Sequence, residues 1–269
     1  GSEVSMARLL MCPPAYYGIE YEINPWMDRR KGVDRERAIA QWGALYRTLT
    51  GPVGAAVALL DPMPGLPDMV FTANAGLVVG QRFIPSRFRY PVRAGEEPYF
   101  RRWFEAQGYE VLSLPEGCLF EGAGDALACG ETLYAGYHFR SHVSSHRELS
   151  RLLSARVLSL ELSDPRFYHL DTCFCPLGAD SAIYYPAAFD RYARQVLAAG
   201  IRQPLLAAPD DAARFGCNAV VVDRHVVLNA GCAGLRGQLE EAGYTVHEVD
   251  LSEFLKSGGA AKCLTLRLD

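Results

Sequence analysis

The sequence has no run of consecutive apolar residues near the roughly 18 that a spanning helix needs, and its first residues lack the charged-then-apolar plan of a secretory leader. Its longest basic run is Arg29-Arg30-Lys31, and the formal net charge is −4, so no basic face awaits a phosphate backbone. Neither a membrane nor nucleic acid is therefore expected as a partner, and a cytoplasmic location is expected. There is no Cys-x-x-Cys pair: Cys173-Phe174-Cys175 leaves one residue between its thiols, and no second pair follows at ligand spacing, which argues against a structural metal. No G-x-G-x-x-G opens a helix and no P-loop occurs, so the phosphate-cradling reasons for a doubly wound sheet are missing. No Pro/Gly/Ser tract divides the chain. Residues 6–269 are read as a single catalytic domain, and residues 1–5, opening on Gly1-Ser2, as a tag remnant.

What is present is ordinary for a folded protein: 269 residues, 49% hydrophobic and 22% charged, enough to bury a sizeable core. Eight cysteines in a chain of this length do not make a disulfide scaffold. Cys129, Cys173, Cys175 and Cys217 sit in apolar strand-like runs and are read as reduced, packed thiols. The sequence leaves a homo-oligomer open.

A degenerate pattern recurs along the chain, in which an amphipathic helical segment runs into a β-rich strand. The junctions fall near Gly54, Tyr109, Arg156, Pro204 and Tyr244, an interval of roughly 40 to 55 residues, typical of repeat architectures. Phe104-Glu105-Ala106-Gln107-Gly108-Tyr109 echoes Leu239-Glu240-Glu241-Ala242-Gly243-Tyr244, with the glycine where a helix takes a left-handed terminator. Apolar strands starting at Leu77, Thr132, Ser181 and Ala219 lie between the junctions, the last interrupted by an Asp223-Arg224 hairpin turn. The pattern predicts five βαβ-like units, and closing them into a ring covers every exposed face and leaves a pocket at the centre.

Several residue groups suit chemistry, each with a plainer alternative. Cys263 follows the small-residue approach Gly258-Gly259-Ala260-Ala261 into a final apolar strand, where a nucleophile would be exposed at the strand edge. A lone thiol beside apolar residues more often simply packs. His169 and Asp171, at i and i+2, would project together from a strand as an imidazole beside a carboxylate, or form a structural pair. Glu121 and Asp125 flank Gly122-Ala123-Gly124, where backbone can approach a ligand closely or merely turn in solvent. Asp68 and Asn74 would bracket a short apolar strand and share a face, or cap and turn it. Arg93 and Arg140 suit a carboxylate clamp, although surface Arg is the default.

Taken together and in this order, Asp68-x-x-Phe71-Thr72-x-Asn74, Glu121-Gly122-x-Gly124-Asp125, His169-Leu170-Asp171-Thr172 and the Gly-rich approach to Cys263 resemble the guanidine-modifying superfamily. That group includes arginine deiminases, dimethylargininases and glycine amidinotransferases. The resemblance extends to Ile23-Asn24-Pro25-Trp26-Met27 and to Asp250-Leu251-Ser252-Glu253-Phe254. It implies an α/β fold, the five-bladed β/α-propeller (pentein) with pseudo-fivefold ββαβ repeats, in agreement with the repeat. It further implies that Cys263 attacks the guanidinium carbon, that His169 exchanges protons with the departing amine and with water, and that Glu121 supports the imidazolium. Asp68, Asn74, Asp171 and Asp125 would face the substrate, with Arg93, Arg140 and Asn24 at its amino-acid end. No metal or organic cofactor is implied, and the partner is a small guanidino molecule, arginine or a close analogue.

The resemblance also ranks the substrates. Asp171 stands where arginine deiminases carry aspartate and dimethylargininases usually lysine, and a carboxylate would be left unpaired against two methyl groups. Asn74 stands where deiminases carry aspartate. An amide suits neutral citrulline as well as cationic arginine, so the chain is most similar to the arginine dihydrolases, which carry arginine through citrulline to ornithine, ammonia and carbon dioxide. A deiminase, a dimethylargininase, an amidinotransferase and a non-catalytic ligand-binding propeller are the alternatives, in that order.

Overall fold

A computed structural model describes residues 6–269, so the tag reading of residues 1–5 lies outside the described residues. Five three-stranded sheets share one pattern. Strands β1 (Arg8–Met11) and β2 (Ala56–Leu59) belong to a sheet that the end of the chain completes. The next four sheets follow in chain order. They are β3 (Gly76–Val79), β4 (Arg82–Pro85) and β5 (Glu110–Val111), then β6 (Ala126–Cys129), β7 (Thr132–Tyr137) and β8 (Arg156–Glu161). After them come β9 (Phe174–Pro176), β10 (Ser181–Tyr184) and β11 (Gln203–Leu206), then β12 (Val220–Val222), β13 (His225–Asn229) and β14 (Thr245–Val249). Finally β15 (Leu266–Arg267) pairs antiparallel with β1, so the two ends of the chain share a blade.

In every sheet the first strand runs antiparallel to the middle one and the third runs parallel to it. A parallel return needs a crossover, and a helix supplies it each time: Arg35–Thr50, Glu97–Ala106, Ser144–Leu153, Arg191–Gly200 and Ala233–Glu241. This is the ββαβ repeat expected from the sequence, and all five junctions are entries to the third strand of a blade. Two helices start on aspartate caps, with Asp34 accepting from Arg37 N–H and Asp190 from Ala193 N–H. The echoed segments end alike: Gly108 and Gly243 adopt φ of 84° and 92°, and the N–H groups of Tyr109 and Tyr244 bond back to Phe104 and Leu239. The Asp223-Arg224 turn does join two paired strands, with Val222 opposite His225.

Three local expectations are corrected. Asp68 and Asn74 do not bracket a strand; they lie in successive 3-10 turns, Pro67–Val70 and Thr72–Ala75, and β3 starts only at Gly76. Pro67 presets a helical φ at the first turn, and Thr72 sends its hydroxyl to Leu10 O instead of along a ladder. His169 and Asp171 do not alternate on a strand either. His169 is extended, but Leu170–Thr172 is a 3-10 turn, closed by the Thr172 hydroxyl on His169 O. Cys263 lies in the 3-10 turn Lys262–Leu264, only 3% exposed, and not at an open strand edge.

Each functional turn therefore stands just ahead of the first strand of a blade, which is why residues distant in sequence meet. The closure of β15 on β1 holds the Cys263 turn in the ring. Leu266 is 2% exposed and opposes Leu10, which is fully buried. Leu266→Ala should lower unfolding free energy by about 2–5 kcal/mol in urea titrations, while exposed Arg267→Ala should stay within about 0.5 kcal/mol.

Candidate active site

The site is organised around a carboxylate with no access to solvent. Glu121 Oε1 lies 2.8 Å from both Arg140 Nη1 and His169 Nε2, and Oε2 accepts from Arg89 N–H at 3.1 Å. Burial by itself would raise its pKa, but Arg140 and His169 outweigh that cost and hold the group well below the usual carboxylate range. As an ionised acceptor it fixes the hydrogen of His169 on Nε2. Arg140 is itself buried, donates to Ile23 O at 3.0 Å, and lies 4.7 Å from the Tyr168 ring centroid.

Two features let the turns crowd together. Gly122 adopts φ of 68°, and a side chain on Gly124 would run into Asn74 Nδ2, so the Gly-Ala-Gly stretch, expected to let backbone approach a ligand, here lets it approach the Asn74 turn. Asp125, expected at the substrate, is already engaged: Oδ1 accepts from Leu170 N–H at 3.0 Å and Oδ2 from the Ser141 hydroxyl at 2.6 Å. It brackets the turn that carries His169.

The other expected residues join the same network. Arg93 is not a surface residue; its guanidinium forks onto Glu96 at 2.8 Å and also donates to Asn74 Oδ1 and Asp68 O. Asn74 Nδ2 donates to Glu121 O at 3.0 Å. Asp68 is 2% exposed, and burial raises its pKa against the pull of Arg93. Among the described residues its Oδ1 has no hydrogen-bond partner, nor has the Tyr21 hydroxyl. Asn24 donates to Ser257 O at 3.0 Å while its oxygen accepts from Trp26 N–H, which lays the segment after β1 over the Gly-rich approach to Cys263.

Cys263 Sγ lies 3.6 and 3.7 Å from the two oxygens of Asp171. Burial, and then Asp171, push its thiol well above the ordinary range, against a smaller opposing effect of Lys262. Two residues here were missed in the sequence. Lys262 Nζ lies 3.6 Å from Asp171 Oδ2, and Asn218 Nδ2 lies 3.2 Å from Cys263 Sγ. Asn218 had a readable signal: Asn218-Ala219 precedes the Val-rich β12 as Asn74-Ala75 precedes β3. A cavity of about 240 Å³, lined by Phe174, Val220, Lys262 and Arg267 among others, touches this neighbourhood only through Lys262. All eight cysteines are free thiols, and among the described residues no three or more His, Cys, Asp or Glu side chains gather to hold a metal ion.

Fold and site together define a five-bladed α/β propeller with a buried Glu121–His169–Arg140 cluster and a buried Cys263 beside Asp171. No protein-family model matches the chain. It is 49% identical over 266 residues to the bifunctional arginine dihydrolase/ornithine cyclodeaminase ArgZ of Synechocystis sp., covering 97% of this chain and 37% of that protein. It is 42% identical over 261 residues to the N(G),N(G)-dimethylarginine dimethylaminohydrolase of Mycobacterium tuberculosis, covering 97% of this chain and 85% of that one. The N-terminal domain of ArgZ bound to product matches with a TM-score of 0.95 at 49% identity, covering 98% of each chain. That domain has also been solved as a cysteine-to-serine variant bound to substrate and as an asparagine-to-serine variant covalently bonded to a reaction intermediate. The chain belongs to the guanidine-modifying pentein superfamily. It spans 37% of the length of ArgZ, well short of that whole protein.

The Glu121 arrangement has a pH signature. Because its folded-state pKa is depressed, it contributes stability that is complete above its ordinary value of 4.5 and is lost as pH falls toward the depressed value. Glu121→Gln leaves Arg140 buried without its anion and should cost about 3–5 kcal/mol at neutral pH. Urea unfolding from pH 7 down to pH 3 should show the gap between wild type and variant narrowing below pH 4.5; a gap independent of pH would contradict the ionised assignment.

Proposed function

We propose that this chain is an arginine dihydrolase, with residues 6–269 acting as one catalytic unit in the cytoplasm. The reading rests chiefly on one observation: the buried Cys263 beside Asp171, facing a network in which Asn74 supplies an amide, not a carboxylate. Similarity to the N-terminal domain of ArgZ over 98% of each chain supports it.

In the mechanism we propose, the guanidinium of arginine enters beside Asp171. Its positive charge offsets the two effects that hold the Cys263 thiol neutral, burial and the Asp171 carboxylate. His169 takes the thiol proton, the thiolate forms a bond to the guanidinium carbon, and as the C–N bond to a terminal nitrogen breaks the resulting imidazolium gives that nitrogen the proton and ammonia leaves. Neutral His169 then takes a proton from water; the hydroxide adds to the thiouronium carbon and the C–S bond breaks, giving citrulline and the thiolate. In a second passage Cys263 forms a bond to the ureido carbon of citrulline and the terminal C–N bond breaks, releasing a second ammonia and leaving a thiocarbamate; water adds, the C–S bond breaks, and the carbamate so formed loses carbon dioxide to give ornithine. Glu121 stabilises the imidazolium at Nε2 throughout.

Binding at the far end of the substrate follows from the same network. The unpaired Asp68 oxygen suits the α-ammonium, and Arg93 and Arg140, both adjoining this region, suit the α-carboxylate with Asn24 holding the covering segment. The Mycobacterium tuberculosis relative favours dimethylarginine as a second reading. Asp171 weighs against it, because two N-methyl groups offer a carboxylate no donors.

Incubating the purified chain separately with arginine, citrulline, dimethylarginine and agmatine, and quantifying ammonia and amino-acid products, tests this. Arginine and citrulline should both give ornithine, and agmatine, lacking the carboxylate, should be a far poorer substrate. Citrulline accumulating from arginine, with added citrulline untouched, would make the chain a deiminase. Cys263→Ser should lose on the order of 10³-fold or more in kcat with its fold retained.

Asn74 should decide how far the reaction runs. An aspartate there repels the carbonyl oxygen of citrulline, to which an amide N–H can donate. Asn74→Asp should shift the product from ornithine toward citrulline and lower the ammonia released per arginine consumed. An unchanged product ratio in a folded variant would remove Asn74 from this role.

A further inference from the structure

We propose that Asn218 is the residue that holds Cys263 in its reactive position and stabilises the thiolate by donating an amide hydrogen to its sulfur. The assignment rests on Cys263 being the nucleophile. Asn218 is fully buried and stands between the turn bearing Asp171 and the turn bearing Cys263, just ahead of β12. Its Oδ1 accepts from the backbone N–H groups of Ala260 and Cys263, both at 3.1 Å. Its Nδ2 donates to Asp171 O at 2.9 Å and to Cys263 Sγ at 3.2 Å. Its own carbonyl accepts from Lys262 N–H.

These contacts use both donors and both oxygen lone pairs of the amide. A fully satisfied buried group has one orientation available, so it locks the Gly-rich approach, the nucleophile and the Asp171 turn into a single unit. The bond to sulfur differs in kind from the other three. A neutral thiol is a weak acceptor, whereas a thiolate accepts a charge-assisted bond, so the Nδ2–Sγ contact strengthens as Cys263 ionises. It therefore favours the reactive form against burial and the Asp171 carboxylate, which oppose it. The bonds to backbone account for a structural role, but not for an N–H group aimed at Sγ.

Asn218→Asp keeps the shape and the acceptor for Ala260 and Cys263 while removing both Nδ2 donors, to sulfur and to Asp171 O, and adding a negative charge that opposes the thiolate further. Asn218→Ser, smaller and uncharged, carries the same test if the aspartate variant does not fold. The first readout needs no substrate: the pH dependence of iodoacetamide alkylation at Cys263, followed by peptide mass spectrometry. The expected result in the folded variants is a midpoint raised by about one pH unit or more, a tenfold loss of thiolate at a given pH. With whichever substrate the wild type turns over, kcat should fall about 10²-fold with KM changed far less, the pattern of a lost donor to developing charge. A folded Asn218→Ser protein with the wild-type alkylation profile and kcat overturns the role of Asn218 alone. Turnover retained by Cys263→Ser overturns the nucleophile reading, and this proposal with it.

Discussion

One buried negative charge, on Glu121, is the constraint from which the rest of the site follows. Taking a carboxylate out of water is costly unless it is paired and fully bonded, and here Arg140, His169 and the Arg89 N–H share its two oxygens. Arg140 must then be buried as well, and its remaining donor reaches Ile23 O in the segment after β1. That segment is fastened at Asn24 to Ser257 and at Trp26, through its indole N–H, to Arg166 O. The charge is thus linked from the turn ahead of β6 to the covering segment and the approach to Cys263.

The ring makes this concentration of charge feasible. Each blade begins with a tight turn before its first strand, and five such turns converge where no single strand has to carry two functional groups. Asn74 and Glu121 meet through Nδ2 and a backbone oxygen, and Asp125 reaches across to the N–H of Leu170. Glycine at position 124 is required because the Asn74 amide occupies the space of a side chain. Cys263 lies on the far side of this cluster, beside Asp171, and the last two strand residues tie it to the first strand of the chain. Stability of the closure and position of the thiol are therefore coupled.

Much of this was legible in advance, but not all for the reasons first given. The glycines at 108 and 243 and the five helix-to-strand junctions could be read because helix termination and strand entry are local events. The turns bearing Asp68, Asn74, His169 and Asp171 were misread as strands, since four-residue apolar segments fit either period. The turns still lie close together, because each stands ahead of the first strand of a blade. Arg93 and Arg140 reversed the usual expectation for arginine: both are buried, held by Glu96 and Glu121, partners that lie on no motif with them.

By itself the sequence determined the repeat, the α/β class, the absence of a basic face and the identity of the polar groups available for chemistry, since these depend on local propensity, composition and order. Only the tertiary structure decided which of them touch. Asp125 brackets the His169 turn, and Asn218, which stands in none of the quoted motifs, bonds the Cys263 sulfur directly. Lys262, adjacent to Cys263 in the chain, was placed against Asp171 by the folding of a turn. The physical reason is that hydrogen bonds and charge pairing act over a few ångströms, whereas the partners lie 45 residues apart for Asn218 and Cys263 and 48 for Glu121 and His169. Ring closure sets those distances, and no local pattern encodes them.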